Sequence, residues 1–517
     1  MAIPEKERPI TRRAIMRGLG VAGVGVLGAS LLAACGAGTT AATTGTSAAT
    51  VAATTAAAST AAATSAATKA AAATTAAATT SAATTAAAVA STSTATVQGK
   101  APSGKKGEVN WLARTGVIEN DWEKKIAVPD FQKANPGITI NLIVAPWDQF
   151  DPKLFTLFAA GTPVDVWSHW GRSGFADYVH KGMVADLTPL INAGKYDLSG
   201  FGPGLTDIYK QNGKYLGLPL LTTFGMPLFY DKDLLTKAGV DTPPVDWDKP
   251  WTRQQWVDAG KKLTANYGAP VATYGITMSN DPQLLARLGG NELYDKDAAN
   301  TGLVTSTTYD SPETEAAFQM VYDMIYKDKV SPTPQLSSAL SAGNLDPFRS
   351  QKVAMNQDGG WQFWNYKPQI HNFKWGVAAM PTFKTNTVTT YTDPWMMSSK
   401  SVDPDNSWKF VQYLVSTEGQ TAYITATGTP PTRTALIDKW LQDFSAPTGM
   451  TVADLTTVTS GALKHGVESW NHLLVGYDEI SKAHDAALAD VWTGKKSVGD
   501  ALKAAKAQVE AVIKTIK

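Results

Sequence analysis

Glu108-Val109-Asn110-Trp111-Leu112-Ala113 opens the run of residues whose reading decides the fold. These six read as a strand. Trp122 to Asn135 reads as a helix stopped by Pro136-Gly137. Ile138 to Val144 alternates like a second strand, Asp148 to Ala160 reads as a helix, and Val164-Asp165-Val166-Trp167 as a third strand. Regular β–α alternation implies an α/β fold built on a largely parallel sheet. Such sheets bind ligands beyond the carboxyl ends of their strands. The loops after Leu112, Val144 and Trp167 are therefore expected at a binding face.

Upstream of about Lys105 the texture is different. Thr11-Arg12-Arg13-Ala14-Ile15-Met16-Arg17 carries paired arginines and a further cation. Gly18 to Ala34 is uncharged and rich in Gly, Ala, Val and Leu, and Leu32-Ala33-Ala34 brings small residues up to Cys35. A charged start, an apolar middle and a small-residue end are the three parts of an export signal. The apolar run is about 17 residues and glycine-rich, short of the roughly 20 that a stable membrane span needs. The other reading of this segment is a single N-terminal transmembrane anchor. The arginine pair resembles twin-arginine export signals, and Leu-Ala-Ala-Cys resembles the lipobox of bacterial lipoproteins. By that resemblance residues 1–34 are removed and Cys35 carries the lipid. Gly18-Leu19-Gly20-Val21-Ala22-Gly23 also fits a dinucleotide-binding pattern, but it follows no strand and sits in the leader, so it has no such meaning.

From Cys35 to Gly104 the chain is mostly Ala, Thr and Ser and could not bury a core. It reads as a disordered tether, with a random-coil reach of about 45 Å. The whole chain has 517 residues, 46 Lys and Arg against 45 Asp and Glu, and one cysteine. Near-neutral charge gives no reason to expect nucleic acid as a partner. The lone Cys35 excludes an internal disulfide, and a domain of roughly 400 residues buries enough apolar surface without one.

Phe158-Ala159-Ala160-Gly161-Thr162-Pro163-Val164-Asp165-Val166 resembles the A-x-G-x-x-P-D-V stretch of family 1 extracellular solute-binding proteins, with Pro163 one residue further from Asp165. Further resemblances follow in the family's order. They include Gly182 to Leu187, Gly213-Lys214-Tyr215-Leu216-Gly217-Leu218-Pro219, and Phe229 to Leu235 with Ala238-Gly239-Val240, where Asp231 replaces the usual Asn. Lys352 to Met355 with Gly360-Trp361, Trp375 to Pro381, and Trp492 to Leu502 complete the series. The resemblance implies a two-lobed α/β fold of the periplasmic-binding-protein type II, each lobe a mixed sheet flanked by helices. Crossing strands form the hinge. It places lobe 1 at about 105–222 plus 382–440 and lobe 2 at about 223–381 plus 441–517. It implies a lipid-anchored, monomeric receptor outside the cell membrane that passes a sugar to an ABC permease, with no cofactor and no catalysis.

The 16 tryptophans suit that role. A sugar ring has an apolar C–H face that covers an indole and a hydroxyl edge that needs planar polar partners. Trp147-Asp148-Gln149, His169-Trp170-Gly171-Arg172, Gln357-Asp358-Gly359-Gly360-Trp361 and Thr392-Asp393-Pro394-Trp395 have that composition. The candidate ligand contacts are Trp147, Trp170, Arg172, Phe224, Asp358, Trp361, Trp364, Trp395 and Trp470. The ordinary fate of a tryptophan is the core, and Trp167, Trp251, Trp256 and Trp408 are assigned there. Asp165 is expected to hydrogen-bond the backbone. Mixed charge in the loops favours a neutral ligand, a mono- or oligosaccharide.

An enzyme is the rival class. Gly171-Arg172-Ser173-Gly174 lacks the spacing of a nucleophile elbow. The six histidines form no metal pattern. Two carboxylates could serve a glycosidase, which sequence alone leaves open. A glycan adhesin or chemosensory receptor would share both fold and site.

Overall fold

The computed structural model describes residues 98–162, 164–168, 173–223, 225–269, 271–340 and 346–516. The leader, Cys35 and nearly all of the expected tether lie outside them. So do Trp170, Arg172 and Phe224.

Strand β1 (Glu108–Arg114) pairs in parallel with β2 (Thr139–Ala145) and β3 (Val166–Ser168). Its five central residues are all buried, because helices cover both faces of this sheet. The helical run between β1 and β2 starts at Val117, five residues before the expected Trp122. A π-turn at Glu123–Ala127 interrupts it. The expected Asp148–Ala160 helix is present as Trp147–Ala159. Asp165 ties β1 to the far side of β3. Its Oδ2 accepts from the Asn110 backbone N–H (2.8 Å) and side-chain amide (2.9 Å), and its Oδ1 from the Ser401 hydroxyl (2.6 Å).

The chain continues through a small hairpin, β4 (Lys210–Gln211) and β5 (Lys214–Tyr215), into β6 (Leu218–Thr222). It then leaves this sheet to build a second one. That sheet contains β7 (Leu228–Asp231), β8 (Tyr274–Met278), β9 (Val353–Gln357) and β10 (Trp375–Ala378), in the order β10-β7-β9-β8. At the end of β7 the unusual Asp231 caps the next helix, accepting from the N–H groups of Asp233 and Leu234 at 2.9 Å each. The chain returns through β11 (Val388–Thr390) and β12 (Thr392–Met397). β12 completes the first sheet, in the order β2-β1-β3-β12-β6, lying antiparallel to both β3 and β6. Last, β13 (Gly466–Glu468) pairs in parallel with β11.

Two apolar cores result. One draws on residues from Val109 to Leu221 and from Trp395 to Tyr423; the other on Met226 to Val388 and Ile424 to Val509. The fold is thus two-lobed, with mixed sheets flanked by helices and three crossings. The first crossing lies between Leu221 and Met226. The second falls between Val388 and Trp395, later than the expected 381/382, because β11 still pairs within the second lobe. The third lies inside helix Thr417–Thr427, which offers Tyr423 to one core and Ile424 to the other. Trp440 therefore belongs to the second lobe, not to a first lobe running to residue 440.

Trp395 is a core residue. It is 0% exposed and meets Trp111 edge-on, with ring centroids 5.7 Å apart, while Trp111 in turn meets Trp122. Replacing so large a buried ring leaves a cavity. Trp395→Ala should therefore cost about 3–5 kcal/mol of stability, read by chemical denaturation.

Candidate functional site

The carboxyl ends of the mutually parallel first-lobe strands border a cavity of about 570 Å³ that residues of the second lobe also line. Arg114 stands at the end of β1 and Trp147 just past β2, so two of the three loops expected at a binding face reach it. Part of the third loop, after β3, is outside the described residues. From the second lobe come Trp361 and Trp364, on the turn and short helix after β9. The crossing strands supply Thr223, Tyr391 and Asp393.

Trp361 meets the Tyr391 ring edge-on at 5.4 Å. Arg114 pairs with Glu119 at 3.3 Å, and both side chains remain partly exposed at the cavity wall. A second cavity of about 540 Å³ adjoins the first, since Trp147 and Asn471 line both. Its walls include Asp281 and Pro282, beyond the carboxyl end of β8, and His484 and Asp485 on helix Tyr477–Trp492.

Asp393, near the start of β12, lines the cavity. The register against β6 shifts between Asp393 and Pro394. The extra residue is Leu220 on β6, since Asp393 pairs with Leu221 and Pro394 with Pro219. Burial pushes its carboxyl up to about 7; the Arg114 cation opposes this and the Glu468 carboxylate adds to it. His472, 1% exposed, stands 3.7 Å from Asp393 and 3.6 Å from Glu468.

Of the residues singled out in the sequence, Trp147, Trp361 and Trp364 line the first cavity. Trp147 is the most exposed of them, at 43%. Asp358 does not line it. Its two oxygens accept from the Gly359 N–H and the Gln362 amide, an arrangement that shapes the turn carrying Trp361. Trp395 and Trp470 are correspondingly core residues rather than cavity walls. The Trp470 indole N–H donates to Glu292 at 2.9 Å and its ring meets Tyr294. Arg114, Glu119, Asn365, Tyr391, Asn471 and the acidic walls of the second cavity were missed. For Asp281-Pro282 a signal existed: the pair follows a strand, where the carboxyl-end rule applies. Among the described residues no group of His, Cys, Asp and Glu could hold a metal ion.

Two α/β lobes joined by crossing strands, with a cleft at their strand ends, define the class of two-lobed solute-binding proteins. The chain belongs to the bacterial extracellular solute-binding protein family, whose model matches residues 116–421. A binding protein of Brucella abortus (strain 2308) is 28% identical over 431 residues, covering 80% of this chain and 95% of the relative. An uncharacterized lipoprotein from the oleD 5' region of Streptomyces antibioticus is 27% identical over 203 residues, 36% of this chain and 42% of that one. Among solved structures, the ABC substrate-binding protein Lmo0181 of Listeria monocytogenes, in complex with cycloalternan, superposes with a TM-score of 0.66. The two are 24% identical, with 79% of this chain and 99% of that chain covered.

The raised carboxyl of Asp393 has a consequence for stability. In the folded protein it keeps its proton up to about 7, whereas its ordinary value is 3.8. Between those values unfolding releases a proton, so this group makes stability fall as pH rises and has no further effect above that window. Asp393→Asn should remove that slope. Melting temperatures of the two proteins should diverge between pH 4 and 7, with the variant relatively more stable at the upper end; parallel curves would count against it.

Proposed function

We propose that this chain is a lipid-anchored receptor that captures a neutral carbohydrate in its interlobe cleft and hands it, unaltered, to an ABC permease. The observation that carries the reading is that Trp147 from one lobe and Trp361 and Trp364 from the other line one cavity of about 570 Å³. A flat indole suits the apolar face of a pyranose ring. Arg114, Glu119, Asn365 and Asp393 stand beside them with donors and acceptors for the hydroxyl edge. The charges are of both signs, which suits a neutral guest. The Listeria protein's complex with cycloalternan supports the carbohydrate class. The name of the Streptomyces relative, with the sequence around Cys35, supports lipid anchoring.

A thermal-shift screen against mono- and oligosaccharides should find ligands that raise the melting temperature. Trp361→Ala should then weaken the best of them by roughly 1–3 kcal/mol, read by calorimetry, with the unliganded melting temperature nearly unchanged. Full affinity in that variant would remove Trp361 from the site. Cys35→Ala should move the protein from the membrane fraction to the medium and leave sugar affinity unchanged. Retention on the membrane would point to the transmembrane alternative.

A further inference from the structure

The lobes touch at one place where a side chain would not fit. Gly174 precedes helix Phe175–His180, whose Phe175 and Tyr178 belong to the first core. Asn471 lies on helix Trp470–Leu473, whose Trp470 belongs to the second. A Cβ built on Gly174 would overlap the carbonyl oxygen of Asn471 and stand 2.7 Å from its carbonyl carbon and 3.1 Å from the Cα of His472. Gly174 itself has φ −95 and ψ 179, an extended conformation open to any residue. The need for glycine here is thus the approach of the other lobe, not the local backbone. The seam continues one turn on: a Cβ on Gly302, in the second lobe, would lie 3.9 Å from that of Ala176. Ala176 is 6% exposed yet contributes to neither core, so the opposite lobe is what covers it. Asn471 lines both cavities, so this contact sits where they adjoin.

We propose that Gly174 against the Asn471 backbone is the closing contact of the cleft, and that glycine at 174 sets how far the lobes can shut. The inference rests on the cleft being the binding site. A ligand held by walls from both lobes binds tightly only to the closed form, and its apparent affinity falls with the fraction of molecules able to close. A Cβ at 174 meets rigid backbone, which cannot swing aside as a flexible side chain would, so it holds the lobes apart. Each lobe keeps its own core.

The test is Gly174→Ala, with Ala176→Leu as a second wedge in the same seam. Both should weaken the sugar identified for the wild type at least tenfold while leaving the ligand-free melting temperature unchanged. Wild-type affinity in both variants overturns the proposal. So does a lowered ligand-free melting temperature, because the contact would then be permanent packing. A second readout needs no sugar. Spin labels on Lys133→Cys and Lys503→Cys, one exposed position in each lobe, report interlobe distance in the Cys35→Ala background. The short-distance population should shrink in Gly174→Ala. An unchanged distribution overturns the closing contact, whereas failure of every sugar to bind the wild type overturns the carbohydrate reading alone.

Discussion

Crossing strands have to serve two bodies at once, and here one carboxylate secures the middle one. Glu468 on β13 accepts from the Thr392 N–H and hydroxyl at 3.1 Å each, and from the Thr390 hydroxyl at 3.3 Å. The polypeptide that leaves the second lobe is thereby pinned to it up to the residue that begins β12. On the other side, Thr223 and Tyr391 exchange backbone and hydroxyl hydrogen bonds, and the Tyr209 hydroxyl donates to the Thr392 carbonyl. Arg287, 2% exposed, takes the carbonyls of Val467 and Glu468, the Thr389 hydroxyl and the Glu292 carboxylate. A buried charge is tolerable when hydrogen bonds replace its water, as they do for these two side chains. The crossing region is consequently stiff transverse to the strands, while rotation of near-rigid lobes about it remains open.

The same strand organises the cleft. Asp393 lines the cavity and Trp395 packs in the first core, although both come from one four-residue string. The indole that looked like a sugar platform is a packing residue, and the carboxylate beside it is the cavity wall. A comparable division holds after β9. Asp358 binds its own turn, and the turn presents Trp361. In both places a polar and an aromatic residue two or three positions apart have different jobs, one structural and one facing the cavity.

Closure adds a constraint of a different kind. Cavity walls tolerate many side chains, but the seam at Gly174 leaves no room for one, because its neighbour is main chain. The Gly171-Arg172-Ser173-Gly174 stretch, which as sequence invited comparison with a nucleophile elbow, thus contains a residue whose smallness answers to the other lobe.

Sequence alone carried the class of fold, because strand and helix periodicities and the turn residues between them are local properties. Helix Trp147–Ala159 and the β1, β2 and β3 strands came out within a few residues, and the ordered motifs pointed to the family that residues 116–421 match. It also located the loops that deliver Arg114 and Trp147, since the carboxyl ends of parallel strands are fixed once the strands are. Three things only the tertiary structure decided. The crossing inside helix Thr417–Thr427 has no compositional mark, because one helix feeds both cores from two faces. The fates of Trp395 and Trp470 depend on partners more than a hundred residues away. Asn471 and Trp147 line the same cavities from segments more than 300 residues apart, and no local pattern records what another lobe will bring opposite.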